Sequence, residues 1–173
     1  LLAVVGPNGA GKSTFARAAA PALGAAPGAV VLRTDEVRKR LLGVPPTQAV
    51  SRAAYTPELH ARTYETLFAD ARALLAAGRA VVLDATFTNP AMRARAEPLA
   101  AEAGVAFEGV WLEAPLAVLE SRVAARKGDA SDATVEVLRG QFEALDPAIP
   151  WRRLDTSVSP EAAARAWAET RAA

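Results

Sequence analysis

The sequence contains no cysteine and only one histidine, His60. The lack of cysteine excludes a disulfide framework and a thiolate metal site, and a single histidine excludes a zinc site built from several imidazoles. No apolar run approaches the roughly 20 residues that a membrane span needs. The first apolar stretch leads directly into a glycine-rich motif, so we predict no signal peptide. We expect a cytoplasmic protein with no membrane partner.

An excess of charge is also missing, because 20 basic residues stand against 19 acidic ones. Aromatic residues make up only 6% of the chain. Both values disfavour contact with a long nucleic acid, which needs a basic surface and aromatic stacking platforms. A short contact with the 5′ end of a nucleic-acid strand is compatible with both values. Apolar residues are plentiful, at 51% of 173 residues, and this is enough for the core of one domain.

Short apolar runs alternate with helical segments along the chain. The apolar runs predict five strands, at residues 1–5, 29–33, 80–84, 105–112 and 153–155. Caps and composition predict helices at about 12–23, 35–42, 57–77, 90–104, 115–127 and 133–144, and one from 160 onward. Strands separated by helices pair in parallel through crossovers. We therefore predict a single α/β domain over residues 1–173, with a parallel sheet between two layers of helices.

The segment from Gly6 to Thr14 matches the Walker A pattern G-x-x-x-x-G-K-[ST] without exception, between an apolar strand and a helix. Its glycines let main-chain N–H groups face one centre and, with the helix N-terminus, attract phosphate. Lys12 suits the β- and γ-phosphates, and the Ser13 hydroxyl suits Mg²⁺. The predicted nucleotide-binding residues are Gly6, Asn8, Gly9, Ala10, Gly11, Lys12, Ser13 and Thr14. The motif alone does not separate ATP from GTP, or a kinase from an ATPase.

Two carboxylates lie at or just after the ends of predicted strands. Asp84 ends the run Val81-Val82-Leu83-Asp84, at the edge where open α/β sheets bind ligands, and it is a candidate for holding Mg²⁺ with Ser13. The alternative is an aspartate that caps the following loop. Asp35 follows the second strand and shares a helical face with Arg38. Asp35 could accept the proton of an acceptor hydroxyl while Arg38 holds an anionic part of the acceptor. An ordinary ion pair in a first helical turn is the alternative.

A basic segment follows the fourth strand. Arg122 and Arg126 are four residues apart and share a helical face. We predict a short helical lid at about 122–134, in which Arg122 contacts the nucleotide and Arg126 stabilises the transferring phosphoryl group. A solvated basic helix face is the alternative. Arg52 and Tyr55, beside a proline-containing loop, are candidates for lining an acceptor pocket, whereas His60 is assigned to the surface or to packing and not to function.

The chain resembles the small P-loop kinases related to the 5′-kinase domain of polynucleotide kinase, zeta-type toxins and chloramphenicol phosphotransferase. It resembles more closely the bacterial AAA-type kinases that are sometimes fused to an aminoglycoside-phosphotransferase-like domain. The resemblance rests on four segments, GPNGAGKST at 6–14, TDEVRKRL at 34–41, VVLDATFTNPAMR at 81–93 and SRVAARKGDASDA at 121–133. It implies an adenylate-kinase-like sheet of order 2-3-1-4-5. It also implies that Asp35 is the general base, Arg38 an acceptor contact, and Arg122 and Arg126 parts of a lid.

Three functions follow from these motifs. The first is an ATP-dependent kinase that transfers the γ-phosphate to a hydroxyl of a small molecule or of a nucleic-acid end, with ATP and Mg²⁺ as cofactors. The second is a motor or transporter ATPase. ABC-type ATPases resemble one another in a signature sequence that precedes a strand ending in Asp-Glu. Here Asp84 is followed by Ala85, and the similar run Leu138–Gln141 comes after Asp84. The third is a nucleotide-sensing module. Because the chain begins inside a predicted strand, we expect it to be cut from a longer protein with a fused N-terminal domain.

Overall fold

The computed structural model describes residues 1–125, 130–143 and 149–172. Five strands form one parallel sheet in the order β2-β3-β1-β4-β5. The strands are β1 (Leu2–Val5), β2 (Val30–Arg33), β3 (Val81–Asp84), β4 (Glu108–Glu113) and β5 (Arg152–Asp155). The predicted parallel sheet and its order are therefore confirmed.

Helices connect the strands and cover both faces of the sheet. They are α1 (Lys12–Ala19), α2 (Thr34–Leu41), α3 (Pro57–Ala76), α4 (Pro90–Arg93), α5 (Ala96–Glu102), α6 (Leu116–Ala125), α7 (Val135–Glu143) and α8 (Pro160–Ala172). The start of α3 shows how the sequence defines a helix end, since the Thr56 hydroxyl accepts a hydrogen bond from the Leu59 N–H at 3.2 Å and Pro57 takes the first helical position. Among the described helices, none is both long and apolar enough to cross a membrane.

The core lies on both sides of the sheet because the strand side chains alternate between its faces. Ala3 and Val5 of β1 belong to the cluster packed by α3 and α5. Leu2 and Val4 belong to the opposite cluster, which includes α1 and α8. All four of these side chains are buried. The apolar run that opens the chain is thus a central strand covered on both faces, as the lack of polar alternation predicts.

Three elements differ from the sequence prediction by a break or by three or more residues. The first helix ends at Ala19 and continues as a short 3₁₀ turn, since Pro21 has no N–H to extend the α-helical ladder. The predicted helix over 90–104 is divided into α4 and α5, and the break accompanies the burial of Arg93, whose guanidinium donates to main-chain carbonyls before α4. Strand β4 begins at Glu108, where its pairing with Leu2 of β1 begins.

The register of the strands fixes the place of the site. Arg33 of β2 and Val4 of β1 both pair with Asp84 of β3. The phosphate-binding motif follows directly from the end of β1. Parallel pairing therefore brings the segments after β1, β2 and β3 together at the carboxyl edge of the sheet, where ligands of open α/β sheets bind.

Candidate active site

The phosphate-binding motif forms a tight loop whose glycines are needed for close packing. Gly9 and Gly11 both have a φ of 83°, in the region that residues with a Cβ rarely adopt. A Cβ on Gly9 would lie 2.5 Å from the Leu119 carbonyl oxygen, and one on Gly11 would lie 2.2 Å from Cγ of Pro160. The loop can therefore lie against α6 and α8 only because these two positions carry no side chain.

The main-chain N–H groups of the loop fall into two sets. The Ala10 N–H donates to the Pro7 carbonyl at 3.2 Å, and the Asn8 N–H donates to the Gln141 carboxamide oxygen at 3.2 Å. The N–H groups of Ser13 and Thr14 belong to the first turn of α1, where no intrahelical acceptor exists. These first-turn donors and the positive end of α1 make the start of the helix a site for anions.

A cavity of about 480 Å³ opens over this loop. It is lined by the loop, the start of α1, the ends of β2 and β3, and residues of the α6 and α8 regions: Asn8, Gly9, Gly11, Lys12, Ser13, Thr14, Thr34, Asp35, Asp84, Thr86, Arg122, Ala125, Ser131, Pro160 and Glu161. Lys12 Nζ donates to the Pro7 carbonyl at 2.9 Å, so the ammonium group is held above the loop. We call this space the phosphate-loop cavity.

Asp84 lies at the base of the phosphate-loop cavity. Its Oδ2 accepts hydrogen bonds from the Ser13 hydroxyl at 2.5 Å and from Arg33 Nε at 3.2 Å. Only 4% of the residue is exposed. Burial raises the pKa of Asp84 above its ordinary value, while Lys12, Ser13 and Arg33 act in the opposite direction. A cation bound beside the carboxylate would favour its ionised form.

Ser13 and Asp84 fit the oxygen ligands that Mg²⁺ prefers. Within the described ranges, no group of three or more histidine, cysteine, aspartate or glutamate side chains could hold a metal. A site with only two protein oxygens suits an ion that keeps several waters and takes its other ligands from phosphates. The donor set is therefore compatible with Mg²⁺ brought in with a nucleotide.

Replacing Asp84 with asparagine tests this site. The amide should still accept from the Ser13 hydroxyl, but it supplies no charge to a metal ion. We expect the concentration of Mg²⁺ that supports half-maximal nucleotide binding to rise roughly 10- to 100-fold. A magnesium titration by fluorescence of a labelled nucleotide measures this, with Asp70→Asn on α3 as the control. An unchanged magnesium requirement would exclude Asp84 from the metal site.

Arg122 and Thr156 connect the phosphate loop to the segment that follows β5. The Arg122 guanidinium donates to the carbonyls of Thr156 at 2.7 Å and Ser157 at 3.0 Å, and it lies 3.5 Å from the Gly9 carbonyl oxygen. The buried Thr156 hydroxyl donates to the Ala10 carbonyl at 2.9 Å. The predicted nucleotide contact Arg122 thus lines the cavity, whereas the predicted catalytic Arg126 lies outside the described residues.

A second cavity of about 450 Å³ adjoins the first. Its walls come from α2, the start of α3, the segment after β3 and the segment leading into α7: Asn8, Thr34, Asp35, Arg38, Val50, Tyr55, His60, Thr86, Thr88, Ser131, Asp132, Ala133, Thr134, Val137 and Gln141. Asn8, Thr34, Asp35, Thr86 and Ser131 line both cavities. We call this space the adjoining cavity.

A chain of contacts forms one wall of the adjoining cavity. Asp35 accepts a hydrogen bond from Arg38 at 2.8 Å, so the two residues predicted to share a helical face are ion-paired. The Arg38 guanidinium lies 5.0 Å from the centre of the Tyr55 ring. The Tyr55 hydroxyl donates to Asp132 at 2.8 Å, and Asp132 also pairs with the buried Lys39 at 3.2 Å. The wall therefore joins α2 to the segment before α7.

The segment after β3 is held in an unusual conformation. Phe87 has a φ of 46°, which is uncommon for an aromatic residue. Its N–H donates to the Tyr64 hydroxyl at 3.2 Å, and its carbonyl accepts from Arg93 at 2.8 Å. Arg93 is buried here and supports the main chain through its hydrogen bonds to the Phe87 and Thr88 carbonyls. These contacts fix Thr86 and Thr88 on the cavity wall.

His60 and Tyr55 both line the adjoining cavity, although the sequence assigned His60 to the surface or to packing. Burial, together with the charge of Arg38, lowers the pKa of His60 below its ordinary value, so the imidazole is neutral at pH 7. Its ring centre lies 5.0 Å from that of Tyr64. His60 therefore packs against an aromatic side chain and also lines the cavity. The side chain of Arg52, the other candidate for this wall, lies outside the described part of the chain.

Several site residues were missed by the sequence reasoning. Thr156 directly follows β5, so its position at the same edge of the sheet was a usable signal. Arg33 ends β2 beside Asp84 and had the same signal. Gln141 and Asp132 reach the site from segments far along the chain, and no local pattern marks them.

A phosphate loop after the central strand of a parallel 2-3-1-4-5 sheet defines a protein with the P-loop kinase fold. A family model supports the same class, because the AAA domain model AAA_33 matches residues 1–148. The chain belongs to this AAA domain family.

Curated relatives share part of this sequence. Uncharacterized proteins of Mycobacterium tuberculosis and Mycobacterium bovis are each 39% identical to it over 141 residues, which is 79% of this chain and 28% of the relative. The chain therefore spans only about 28% of the length of the curated relatives it matches.

Solved structures share the fold. An APS kinase of Mycobacterium tuberculosis in complex with AMPPNP and APS has a TM-score of 0.66 at 22% identity, covering 99% of this chain and 96% of that one. A gluconokinase from Sinorhizobium meliloti gives 0.57 at 20% identity, covering 99% and 94%. The tunicamycin resistance protein of Deinococcus radiodurans gives 0.62 at 20% identity, covering 98% and 94%. At these identities the likeness is one of fold.

Proposed function

We propose that this domain is an ATP-dependent kinase that transfers the γ-phosphate to a hydroxyl of a small molecule. One observation carries the proposal: Asp35 lines both the phosphate-loop cavity and the adjoining cavity. A carboxylate at the junction of two cavities has the position that a base needs when a phosphoryl group passes from one ligand to the other. An ATPase needs only water at that junction and has no use for a second cavity.

Each site residue has a role in this reaction. The loop from Gly6 to Thr14 would bind the phosphates of ATP, and Lys12 would neutralise charge on the transferring group. Ser13 and Asp84 would hold Mg²⁺, which supplies further neutralisation when bound. Asp35 would take the proton of the acceptor hydroxyl. Arg122 would contact the nucleotide, and Arg126 is proposed to complete the positive charge around the phosphoryl group.

The walls of the adjoining cavity support a small acceptor. Polar side chains and aliphatic side chains together line a space of about 450 Å³, within the range of small-ligand pockets, whose walls are mostly apolar with a few placed polar groups. Arg38 could bind an anionic or a hydroxylated part of the acceptor, although its contact with Asp35 already satisfies part of its charge. The gluconokinase and the APS kinase among the solved structures are named for small acceptors, which favours the same size class here.

A nucleic-acid 5′-hydroxyl is the second acceptor considered, and the ATPase and nucleotide-sensor functions are the alternatives to a kinase. These functions differ in how the consumption of ATP depends on an acceptor. A kinase consumes ATP faster when its acceptor is present, an ATPase consumes it at one rate regardless, and a sensor binds it without turnover.

A screen with ATP labelled in its γ-phosphate tests these functions. Candidate acceptors are sugars, nucleosides, antibiotics and 5′-hydroxyl oligonucleotides, with Lys12→Ala as the inactive control. We expect label transfer to at least one small molecule by the unaltered protein and none by the variant. Release of labelled phosphate at one rate with every acceptor would instead favour an ATPase, and tight ATP binding without release would favour a sensor.

A further inference from the structure

Gln141 of α7 reaches the phosphate loop from the far end of the chain. Its Oε1 accepts from the main-chain N–H of Asn8 at 3.2 Å and from the Asn8 side-chain Nδ2 at 2.8 Å. Asn8 is only 7% exposed, so this contact lies inside the site. The sequence motif and the proposed roles above give Gln141 no function.

The orientation of the Gln141 carboxamide follows from its partner. A main-chain N–H can only donate, so the atom that faces Asn8 must be the oxygen. The NH₂ group of Gln141 therefore points away from Asn8. No residue in the described ranges accepts a hydrogen bond from that Nε2, while the Gln141 side chain lines the adjoining cavity.

Gln141 lies beside residues that line both cavities. Asn8 and Asp35 line both cavities. Gln141 is hydrogen-bonded to Asn8 and lines the adjoining cavity together with Asp35. A group carried between the cavities passes beside these residues. The charge of a transferring phosphoryl group is spread over its equatorial oxygens, which accept hydrogen bonds from suitably placed donors.

We infer that Gln141 donates a hydrogen bond from Nε2 to an oxygen of the transferring phosphoryl group, an inference that rests on the proposed kinase function. Gln141 forms no covalent bond in the step. The phosphorus–oxygen bond to the β-phosphate breaks as the bond to the acceptor oxygen forms, and Asp35 takes the acceptor proton. Asn8 acts as the positioning residue that keeps the carboxamide oxygen away from the phosphoryl group.

Gln141→Glu separates the two contacts of this side chain. A glutamate still offers oxygen to the Asn8 N–H groups, but it places a negative oxygen where the NH₂ group was. We expect the affinity for AMPPNP, which carries a γ-phosphate, to fall roughly tenfold or more because like charges meet. The affinity for ADP should change less than about twofold, and kcat for transfer should fall with the AMPPNP affinity.

Two further variants interpret the result. Glu143→Gln changes one charge at the exposed end of the same helix and should leave both affinities unchanged. Gln141→Ala removes the loop contact and the NH₂ donor together. If only Gln141→Ala weakens binding, Gln141 merely supports the loop and the inference is wrong. Equal losses for AMPPNP and ADP in Gln141→Glu would overturn it as well.

Titration calorimetry with the two nucleotides keeps this inference separate from the proposed function. The affinities are measured without any acceptor. They therefore test whether Gln141 contacts the γ-phosphate even if no acceptor is ever phosphorylated. An unaltered protein that transfers label to no acceptor would remove the kinase proposal. A kinase whose Gln141→Glu variant binds AMPPNP normally would remove only the inference about Gln141.

Discussion

Replacing Lys12 with alanine is expected to lower kcat for phosphoryl transfer at least about a hundredfold. In the structure the Lys12 ammonium group is held 2.9 Å from the Pro7 carbonyl at the mouth of the phosphate loop. When a nucleotide binds, this ammonium group would interact with the β- and γ-phosphates and balance their charge. The main-chain N–H groups of the loop remain in the variant, so nucleotide affinity should fall less than the rate.

Single-turnover measurement with labelled ATP separates the two effects, because binding and chemistry are then observed apart. Arg17→Ala is the matched control, since it removes an exposed cation from the same helix. Retention of a near-normal rate by Lys12→Ala would contradict the assignment of this loop to the transferring phosphates.

The second large effect is expected from Asp35→Asn, which should lower kcat by about a hundredfold to ten-thousandfold while ATP affinity stays within about twofold. Asparagine keeps the side-chain oxygen that accepts from Arg38, so the wall of the adjoining cavity should persist. The amide cannot take a proton from an acceptor hydroxyl. A loss of rate without a loss of binding is the signature of an interaction made only in the transition state.

Asp70→Asn provides the control for Asp35→Asn. Asp70 lies on α3 and pairs with Arg40 of α2 at 2.5 Å, so this variant removes an ion pair of the same helix without touching either cavity. Steady-state rates with an identified acceptor, together with calorimetry for ATP, give the comparison. Full transfer by Asp35→Asn would remove this carboxylate from the chemistry and leave it as a support for Arg38.

The fold was predictable because its signals are local. The apolar runs and the helix caps are read within a few residues, and the parallel arrangement follows from helices that separate successive strands. The division of the predicted helix over 90–104 depends instead on which side chain is buried. Arg93 turns inward to the carbonyls of Phe87 and Thr88, and no pattern in residues 90–104 announces the break that accompanies this burial.

The site divides in the same way. The sequence by itself determined the phosphate loop, because the residues from Gly6 to Thr14 are contiguous and the chain sets their relative geometry. It also placed Asp35 and Asp84 at one edge, since Asp84 ends one predicted strand, Asp35 comes shortly after another, and parallel strands end on the same side. The pairing of Asp35 with Arg38 needed only the helical period.

Only the tertiary structure decided what surrounds these groups. Gln141 meets Asn8 across 133 positions of the chain, and Thr156 meets Ala10 across 146. Contacts of this kind depend on how α7 and β5 pack against the rest of the domain, and the residues that make them carry no motif. The junction of the two cavities has the same origin, because its walls come from segments that become neighbours only when the sheet and its helices assemble.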